Sequence, residues 1–259
     1  MKGDVGMEPK KVTFGFKTAR KLIKFFYGKK KIIGLEKIPE KNCIIVGNHS
    51  QMNGPLVGEF YLPDNCYIWC AADMMKLKTV PAYAFRDFWS QKKKWTHPFY
   101  KTLSVLIAPL SIFVFCNART IGVYRDQRVM TTFRETVAML KAGRNILIFP
   151  ERNERNNNIL YKFDENFVDV ARLYYKKTGE KLTFVPMYIA PYLKESYIGE
   201  GIEYNPENDP AEERSRICSY ISDAITKTAR ELPEHTVVPY RNIGRRNYLK
   251  NTDVNEVPR

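Results

Sequence analysis

The amino-acid sequence predicts an α/β fold, a single domain with a mostly parallel central sheet flanked by helices, plus a basic N-terminal amphipathic helix. Three observations lead to this prediction. Short apolar runs alternate with segments of helical periodicity along the 259 residues. Two of those runs, CIIVG and NILIF, are largely apolar, as expected for strands buried on both faces of a sheet. No repeat or linker divides the chain, so we expect one domain.

The N-terminal helix is predicted within residues 10–31. Its apolar residues recur at steps of three and four and are Val12, Phe16, Ala19, Ile23 and Phe26. Most of its lysines and arginines lie on the other faces. A basic amphipathic helix of this kind can lie on an anionic membrane, or it can pack on the domain with its charged side in solvent. These two alternatives are compatible.

The remaining elements alternate along the chain. Strands are expected at 32–35, 42–47, 63–75, 120–125, 145–149 and 182–189. Helices are expected at 56–62, 131–142, 163–178 and 211–231, with glycines as C-terminal stops at 143 and 179. The chain is therefore divided into a helical segment 1–31, an α/β domain 32–240 and a basic polar tail 241–259, which we expect to be loose.

The most apolar segment, 103–116, is too short to span a membrane as a helix. It lies between Lys101 and Arg119 and is interrupted by Pro109. A helix needs about 20 apolar residues to cross a hydrocarbon core of about 30 Å. We therefore interpret this segment as buried or interfacial. The charged N-terminus shows no signal peptide.

The charge balance indicates an anionic partner. The chain has 42 Lys and Arg against 28 Asp and Glu, a net charge of +14. This suits nucleic acid, an anionic membrane, a phosphorylated substrate or an acidic protein. The five cysteines follow no disulfide framework and there are three histidines, so we expect buried thiols in a reducing cytoplasm and no metal site. No glycine-rich phosphate loop occurs.

Polar residues stand where the predicted strands end. His49, Arg125 and Glu151 each follow or end one of these strands. Ligands of open α/β sheets bind outside the carboxyl ends of the strands, so we expect these side chains to meet at one edge. A histidine with a pKa of about 6.5 can act as a general base, and an arginine can hold a phosphate by two parallel hydrogen bonds. The sequence thus predicts a site at this edge.

Four segments at these strand ends resemble, in order and spacing, the motifs of the glycerolipid acyltransferase family, which includes the bacterial lysophosphatidic acid acyltransferases. The family's motifs are N-H-x4-D, an arginine after a short hydrophobic strand, F-P-E-G-T-R, and V-P. The matching segments are NHSQMNG at 48–54, GVYR at 122–125, FPERNE at 149–154 and VP at 185–186. The resemblance covers roughly residues 40–200.

The resemblance implies an acyltransferase that moves a fatty acyl group from acyl-CoA or acyl carrier protein to the hydroxyl of a lysophospholipid similar to 1-acylglycerol-3-phosphate. In that family the histidine, here His49, takes the proton of the hydroxyl, which attacks the thioester directly without an acyl-enzyme. No metal or bound cofactor is implied. The residues expected to contact the acceptor or shape its pocket are Asn48, Arg125, Glu151, Arg152, Arg155 and Pro186.

The sequence departs from the family's motifs at two places. Gly54 stands where the first motif has the aspartate that holds the imidazole. In the third motif, Arg152-Asn153-Glu154 replaces Gly-Thr-Arg, and Arg155 follows. The orienting carboxylate is therefore missing, and the contacts to the acceptor are altered.

Asn53 is a candidate replacement for the missing aspartate. If a helix begins at His49, Asn53 lies at i+4 on the same face. Its amide oxygen can then accept the imidazole Nδ1–H and fix the tautomer, as an asparagine does in Cys-His-Asn proteases. We therefore expect Asn53 to be a second catalytic residue, with Glu59 and Glu151 as further candidates for this role.

The sequence is compatible with three functions. The first is an enzyme in the cytoplasm, peripheral on the inner face of the cell membrane, where a basic protein meets lysophospholipid at an anionic surface. The second is a catalytically inactive lipid- or acyl-donor-binding protein on the same fold, favoured by Gly54. The third, a nucleic-acid binder, is supported only by charge and by interleaved aromatic and basic residues at 85–100. Because no recognition module is visible, we expect no nucleic-acid partner.

Overall fold

The computed structural model describes residues 13–124 and 126–253. Arg125 and the outer ends of the predicted N-terminal segment and tail lie outside the described residues. The helices are α1 Phe14–Tyr27, α2 Asn53–Tyr61, α3 Val80–Ala84, α4 His97–Leu106, α5 Ala108–Asn117, α6 Val129–Lys141, α7 Asp169–Thr178 and α8 Pro210–Glu231. The strands are β1 Lys31–Ile33, β2 Cys43–Gly47, β3 Cys66–Ala71, β4 Thr120–Val123, β5 Asn145–Ile148, β6 Glu151–Arg155, β7 Tyr161–Phe163, β8 Thr183–Ala190, β9 Glu195–Ile198 and β10 Ile202–Glu203.

The main sheet is mixed but mostly parallel. Its strand order is β1-β9-β8-β2-β5-β3-β4, and β10 pairs with β8. Strand β2 runs parallel to β5 and β8, β3 runs parallel to β4 and β5, and β1 runs parallel to β9. Strand β8 is antiparallel to β9 and β10, and β6 and β7 form a separate antiparallel hairpin. The predicted α/β fold with a mostly parallel sheet is therefore confirmed.

Both faces of the sheet are covered, which explains the continuous apolar runs. Alternate residues of β2 enter two different cores: Ile44 and Val46 pack with α6, α7 and α8, whereas Cys43 and Ile45 pack on the side of α2. All five residues of β2 are buried. Because side chains alternate between the two faces of a strand, burial of both faces requires an uninterrupted apolar sequence.

The helix predicted at 163–178 is shorter in the structure, and this prediction is corrected. Phe163 ends β7, a 3₁₀ turn covers Glu165–Val168, and α7 begins at Asp169. The side chain of Asp164 accepts a hydrogen bond from the backbone N–H of Asn166 and caps the 3₁₀ turn. Pairing of β7 with β6 holds the preceding residues extended, so tertiary contacts override the helical periodicity of this segment.

The apolar segment 103–116 forms the end of α4 and most of α5, and it is only partly buried. Leu106 and Leu110 are 70% and 62% exposed, whereas Ala108 and Ser111 are buried. The segment, predicted to be buried or interfacial, is thus buried on one side and exposed on the other. Among the described residues, no single helix has the length and composition of a membrane span. The pair Lys94–Leu106 and Ala108–Asn117, bent by 46°, passes that test only when taken together.

Helix α1 contacts the domain through polar groups. Its Arg20 side chain forms an ion pair with Glu59 of α2 at 2.9 Å, and the Lys24 Nζ donates to the carbonyl of Phe60 at 2.9 Å. Phe16 is the buried residue of the helix and contacts the ring of Phe113. Part of the polar side of the helix therefore faces the domain.

The tail after Tyr240, predicted to be loose, is fastened to the domain over 241–253. The side chain of Asn251 is 1% exposed and donates to the carbonyls of Ala229 and Leu232 at 2.8 and 3.1 Å. Its amide oxygen accepts from the backbone N–H of His235 at 2.8 Å. The prediction is wrong here because the Asn251 side chain satisfies carbonyl groups at the C-terminal end of α8.

Candidate active site

The carboxyl end of β2 is joined to β8 by the side chain of Asn48. Its Nδ2 donates to the carbonyl of Ile189 at 3.1 Å, and its Oδ1 accepts from the N–H of Ile189 at 2.7 Å. Asn48 is 2% exposed. The structure thus gives this predicted substrate contact two backbone partners instead. We expect it to hold the strand end and to set the direction of the chain at His49.

A tight left-handed turn follows His49. Ser50 and Gln51 have φ values of 48° and 54°, a conformation that non-glycine residues rarely adopt. The side chain of Gln51 donates to the carbonyl of Arg241 at 3.0 Å and to the hydroxyl of Tyr248 at 2.9 Å. The C-terminal segment therefore contacts the turn that presents His49.

Glu151 connects the His49 turn to the β6–β7 hairpin. Its Oε1 accepts the backbone N–H of His49 at 2.6 Å, and its Oε2 accepts the backbone N–H of Tyr161 at 2.8 Å. Burial raises the pKa of this carboxyl to about 7, although both N–H donors act in the opposite direction. Glu151 thus positions His49 through the backbone of that residue.

The imidazole of His49 lies against two aromatic rings. The ring centroid of Phe149 is 5.2 Å away with an interplanar angle of 65°, and that of Tyr240 is 5.7 Å away at 84°. Tyr240 also contacts Tyr161, with 5.6 Å between centroids. His49 itself is half-buried, so part of it remains accessible to a substrate.

Gly54 is packed so closely that a side chain does not fit. A Cβ placed there lies 2.5 Å from the backbone oxygen of His49 and 2.8 Å from two ring carbons of Phe149. The backbone N–H of Gly54 donates to that same oxygen at 3.1 Å. A carboxylate at this position therefore requires both the turn and the Phe149 ring to move.

Comparison with known proteins identifies the family. The family model described as Acyltransferase matches residues 29–190, which contain His49, Gly54, Phe149 and Glu151.

The chain belongs to the acyltransferase family.

The resemblance drawn from the four motifs is confirmed by this match. Among solved structures, the 1-acyl-sn-glycerophosphate (LPA) acyltransferase PlsC from Thermotoga maritima is similar at a TM-score of 0.44 and 19% identity. That similarity covers 84% of this chain and 79% of the PlsC chain. No curated protein sequence matches.

Asn53 does not hold the imidazole of this acyltransferase, contrary to the prediction. Helix α2 begins at Asn53, so His49 precedes the helix and the expected i+4 geometry does not arise. The Asn53 amide oxygen accepts from the hydroxyl of Tyr27 at 3.1 Å, and its Nδ2 donates to the carbonyl of Ser50 at 2.9 Å. Asn53 therefore stabilises the start of α2.

Glu59, another candidate for holding the imidazole, lies two turns further along α2. Its carboxylate pairs with Arg20 at 2.9 Å and with Arg119 at 3.9 Å. These contacts join α2 to α1 and to the start of β4. The structure thus assigns Glu59 a role in holding elements together.

The other predicted binding residues of this acyltransferase differ in their burial and their neighbours. Arg155 has its guanidinium 5.7 Å from the centroid of the Tyr161 ring, which itself contacts Tyr240. Arg152 is exposed, and its side chain lies 3.7 Å from the carboxylate of Glu154. Pro186 is buried in the sheet opposite Val46. Arg125 lies outside the described residues.

A cavity of about 270 Å³, which no sequence motif indicated, opens beside the His49 turn. It is lined by Lys30, Gln51, Asn53, Pro191, Tyr192, Val238, Arg245 and Tyr248. Burial and the neighbouring Lys194 lower the pKa of Lys30. The only sequence feature that pointed to Arg245 was the basic character of the tail. In the part of the chain that the structure describes, no three His, Cys, Asp or Glu side chains are grouped to hold a metal ion.

Proposed function

We propose that this acyltransferase transfers a fatty acyl group from a thioester donor, acyl-CoA or acyl carrier protein, to the hydroxyl of a lysophospholipid similar to 1-acylglycerol-3-phosphate. His49 is the general base. The observation that carries the proposal is the 2.6 Å hydrogen bond from the His49 N–H to Glu151, which brings the first and third motifs together at one sheet edge. Such a product places the protein in phospholipid biosynthesis.

The proposed reaction is a direct acyl transfer. The imidazole of His49 takes the proton of the acceptor hydroxyl while the oxygen of that hydroxyl attacks the thioester carbonyl. The new C–O ester bond forms, the C–S bond breaks, and the thiolate leaves and takes up a proton. Because a thioester is already activated, positioning and a base with a pKa near neutrality suffice, and the scheme uses no metal or bound cofactor.

The acceptor headgroup is proposed to bind near the β6–β7 hairpin. Arg152 and Arg155 extend from the strand that begins at Glu151, so a phosphate there lies next to the His49 turn. A guanidinium binds phosphate by two parallel hydrogen bonds. Arg125, which ends the second motif, is a further proposed phosphate contact on the sequence alone.

A second candidate is a catalytically inactive protein that binds lipid or acyl donor on the same fold. Gly54 favours it, because a histidine without the motif's carboxylate lacks the usual means of stabilising an imidazolium ion. The close packing around Gly54 shows that the site is built for glycine at this position. Turnover distinguishes the two candidates.

The deciding experiment measures acyl transfer by the purified protein. Acyl-CoA and acyl carrier protein are supplied separately, each with lysophosphatidate and with other lysolipids. We expect thiol release coupled to a diacyl product in the wild type and in His97→Gln, and loss of at least about 100-fold in His49→Gln. Equal rates in all three proteins would contradict His49 as the base. Binding of lipid or donor without turnover would support the inactive candidate.

The protein is further proposed to act in the cytoplasm, peripherally on the anionic inner face of the cell membrane. Helix α1 has contacts with α2 through Arg20 and Lys24, and it leaves large apolar side chains outside. The exposed ones on α1, α4 and α5 include Phe14, Leu22, Phe25, Phe26, Phe99, Leu106 and Leu110. Apolar groups beside lysines favour an anionic lipid surface.

A further inference from the structure

We propose that Phe149 and Tyr240 form an aromatic clamp that positions the His49 imidazole and takes over the positioning task of the aspartate missing at position 54. The proposal rests on the proposed role of His49 as the base. Its starting observation is that the two rings contact the same imidazole, at centroid distances of 5.2 and 5.7 Å. Both are positioning residues, because they act through His49.

One half of the clamp depends on Gly54. A Cβ at position 54 lies 2.8 Å from Cε1 and Cζ of Phe149, closer than real Cβ contacts permit. The missing side chain therefore leaves the space that the Phe149 ring occupies. The Phe149 ring can lie next to His49 only because position 54 has no side chain. The replacement of aspartate by glycine therefore makes room for this ring.

The other half of the clamp comes from the C-terminal segment. Tyr240 lies 50 residues beyond the end of the family match at residue 190. It is held on one side by the ring of Tyr161, whose backbone N–H is bound by Glu151. On the other side the next residue, Arg241, accepts a hydrogen bond from Gln51. Tyr240 is thus fastened both to the hairpin and to the turn that presents His49.

The two rings restrict the orientation of the imidazole by packing against it. Edge-to-face packing favours one relative orientation of two rings, because the ring edge is positive and the face is negative. The Glu151 carboxyl binds the backbone of His49, and the two rings pack against its side chain, so both parts of the residue are held. Holding a base within reach of its proton is a large part of what a positioning group contributes.

The test compares Tyr240→Leu with Tyr240→Phe and with the control Tyr220→Leu. Tyr220 is a half-buried tyrosine of α8, and its hydroxyl donates to the backbone carbonyl of Glu200 between β9 and β10. For Tyr240→Leu we expect kcat to fall about 10- to 100-fold, with KM for both substrates changed less than about threefold. Tyr240→Phe should keep most of kcat, because the ring makes the contact. Loss of kcat in Tyr240→Phe equal to that in Tyr240→Leu, or no loss in either, would overturn the proposal.

A second measurement does not depend on turnover. The chain has three histidines, at 49, 97 and 235, and the imidazole proton signals of His49 are assigned by their loss in His49→Gln. Because an aromatic ring shifts the NMR signals of protons packed against it, Tyr240→Leu should move the His49 signals and leave those of His97 in place. Unmoved His49 signals would overturn the clamp. If Tyr240→Leu moves the His49 signals but the wild type shows no turnover, the clamp is supported and the proposed function is contradicted.

Gly54→Asp tests the coupling between the two parts. We expect the restored aspartate to lower kcat or the melting temperature, since the Phe149 ring has to leave its place. A folded Gly54→Asp protein that turns over faster than the wild type would show that the site lacks a carboxylate and would overturn the proposal.

Discussion

Glu151 joins two parts of the site through one buried carboxyl group. It accepts backbone N–H groups from His49 and Tyr161, so it fixes the turn after β2 against the β6–β7 hairpin. Burial nevertheless raises its pKa from the ordinary value of 4.5 to about 7, since desolvation of the charge outweighs the two donors. The same residue therefore organises the site and makes the stability of the fold depend on pH.

The free energy of unfolding should decrease as pH rises from about 4.5 to about 7. In this range the folded protein keeps a proton on Glu151 that the unfolded chain has already lost, so a rise in pH favours unfolding. The contribution of Glu151 alone is about 3 kcal/mol. Urea denaturation at pH 5 and pH 7 measures about 2 kcal/mol of this contribution, and Glu151→Gln should lack that difference. If the free energy of unfolding of Glu151→Gln depends on pH as strongly as that of the wild type, Glu151 is not the group that keeps this proton.

Asn48→Ala should lower the free energy of unfolding by about 2–4 kcal/mol. The substitution removes two hydrogen bonds and leaves the N–H and carbonyl of Ile189 buried without them. Urea denaturation provides the measurement, and the exposed Asn247→Ala serves as control, with a change within about 0.5 kcal/mol. A similar small change in Asn48→Ala would show that the β2–β8 junction does not need this side chain.

At the scale of elements, the close approach of α2 to the sheet depends on Gly58. A Cβ there lies 2.4 Å from Cδ2 of Leu147 and 2.9 Å from Cδ1 of Ile68. The helix that follows the His49 turn thus lies on β5 and β3 without a side chain between them. The distance between α2 and the sheet therefore limits the position of the His49 turn, which leads into this helix.

Gly58→Ala should destabilise the protein by about 1–3 kcal/mol, because the added methyl group overpacks the contact with Leu147 and Ile68. Gly15→Ala is the matched control. Gly15 also lies in a helix, but its Cβ meets the nearest atom of Phe113 at 3.6 Å, an ordinary contact, so alanine should be neutral or stabilising. Thermal unfolding of both variants checks the difference, and equal melting temperatures would refute it.

The β6–β7 hairpin shows how far local sequence patterns reach. Residues 163–178 have a helical pattern, yet Phe163 belongs to a strand. The pattern could not reveal that Tyr161 and Phe163 pair with β6, because that pairing depends on where Glu151 directs the chain after β5. The pairing partner of a strand is a tertiary fact, and helix propensity is a weak preference beside it.

For the molecule as a whole, the outer surface of α1, α4 and α5 is unusually apolar for a chain of net charge +14. Phe25 and Phe26 are each 79% exposed, and Leu106 is 70% exposed. Large exposed apolar groups in one region mark an interaction surface. Together with the exposed Lys17 and Lys21 of α1, they support the proposed lipid surface.

Phe25→Ser combined with Phe26→Ser should weaken binding to anionic vesicles by about tenfold or more, because two large apolar side chains no longer enter the interface. Vesicle sedimentation at several salt concentrations provides the measurement, and binding of the wild type should decrease as salt rises. Met130→Ser, an exposed apolar residue of α6, is the control. If the double variant binds vesicles as strongly as the wild type, the lipid contact does not involve Phe25 and Phe26.

The sequence by itself determined the alternation of strands and helices, the mostly parallel sheet, the family and the position of His49 and Glu151 at strand ends. These are local properties, because apolar runs, stop signals and short motifs are read within a few residues. Tertiary structure decided the rest. It decided that Gly54 leaves room for Phe149, that Tyr240 reaches His49 and that Asn53 does not reach it. These outcomes depend on distances between segments far apart in the chain, and no local pattern contains those distances.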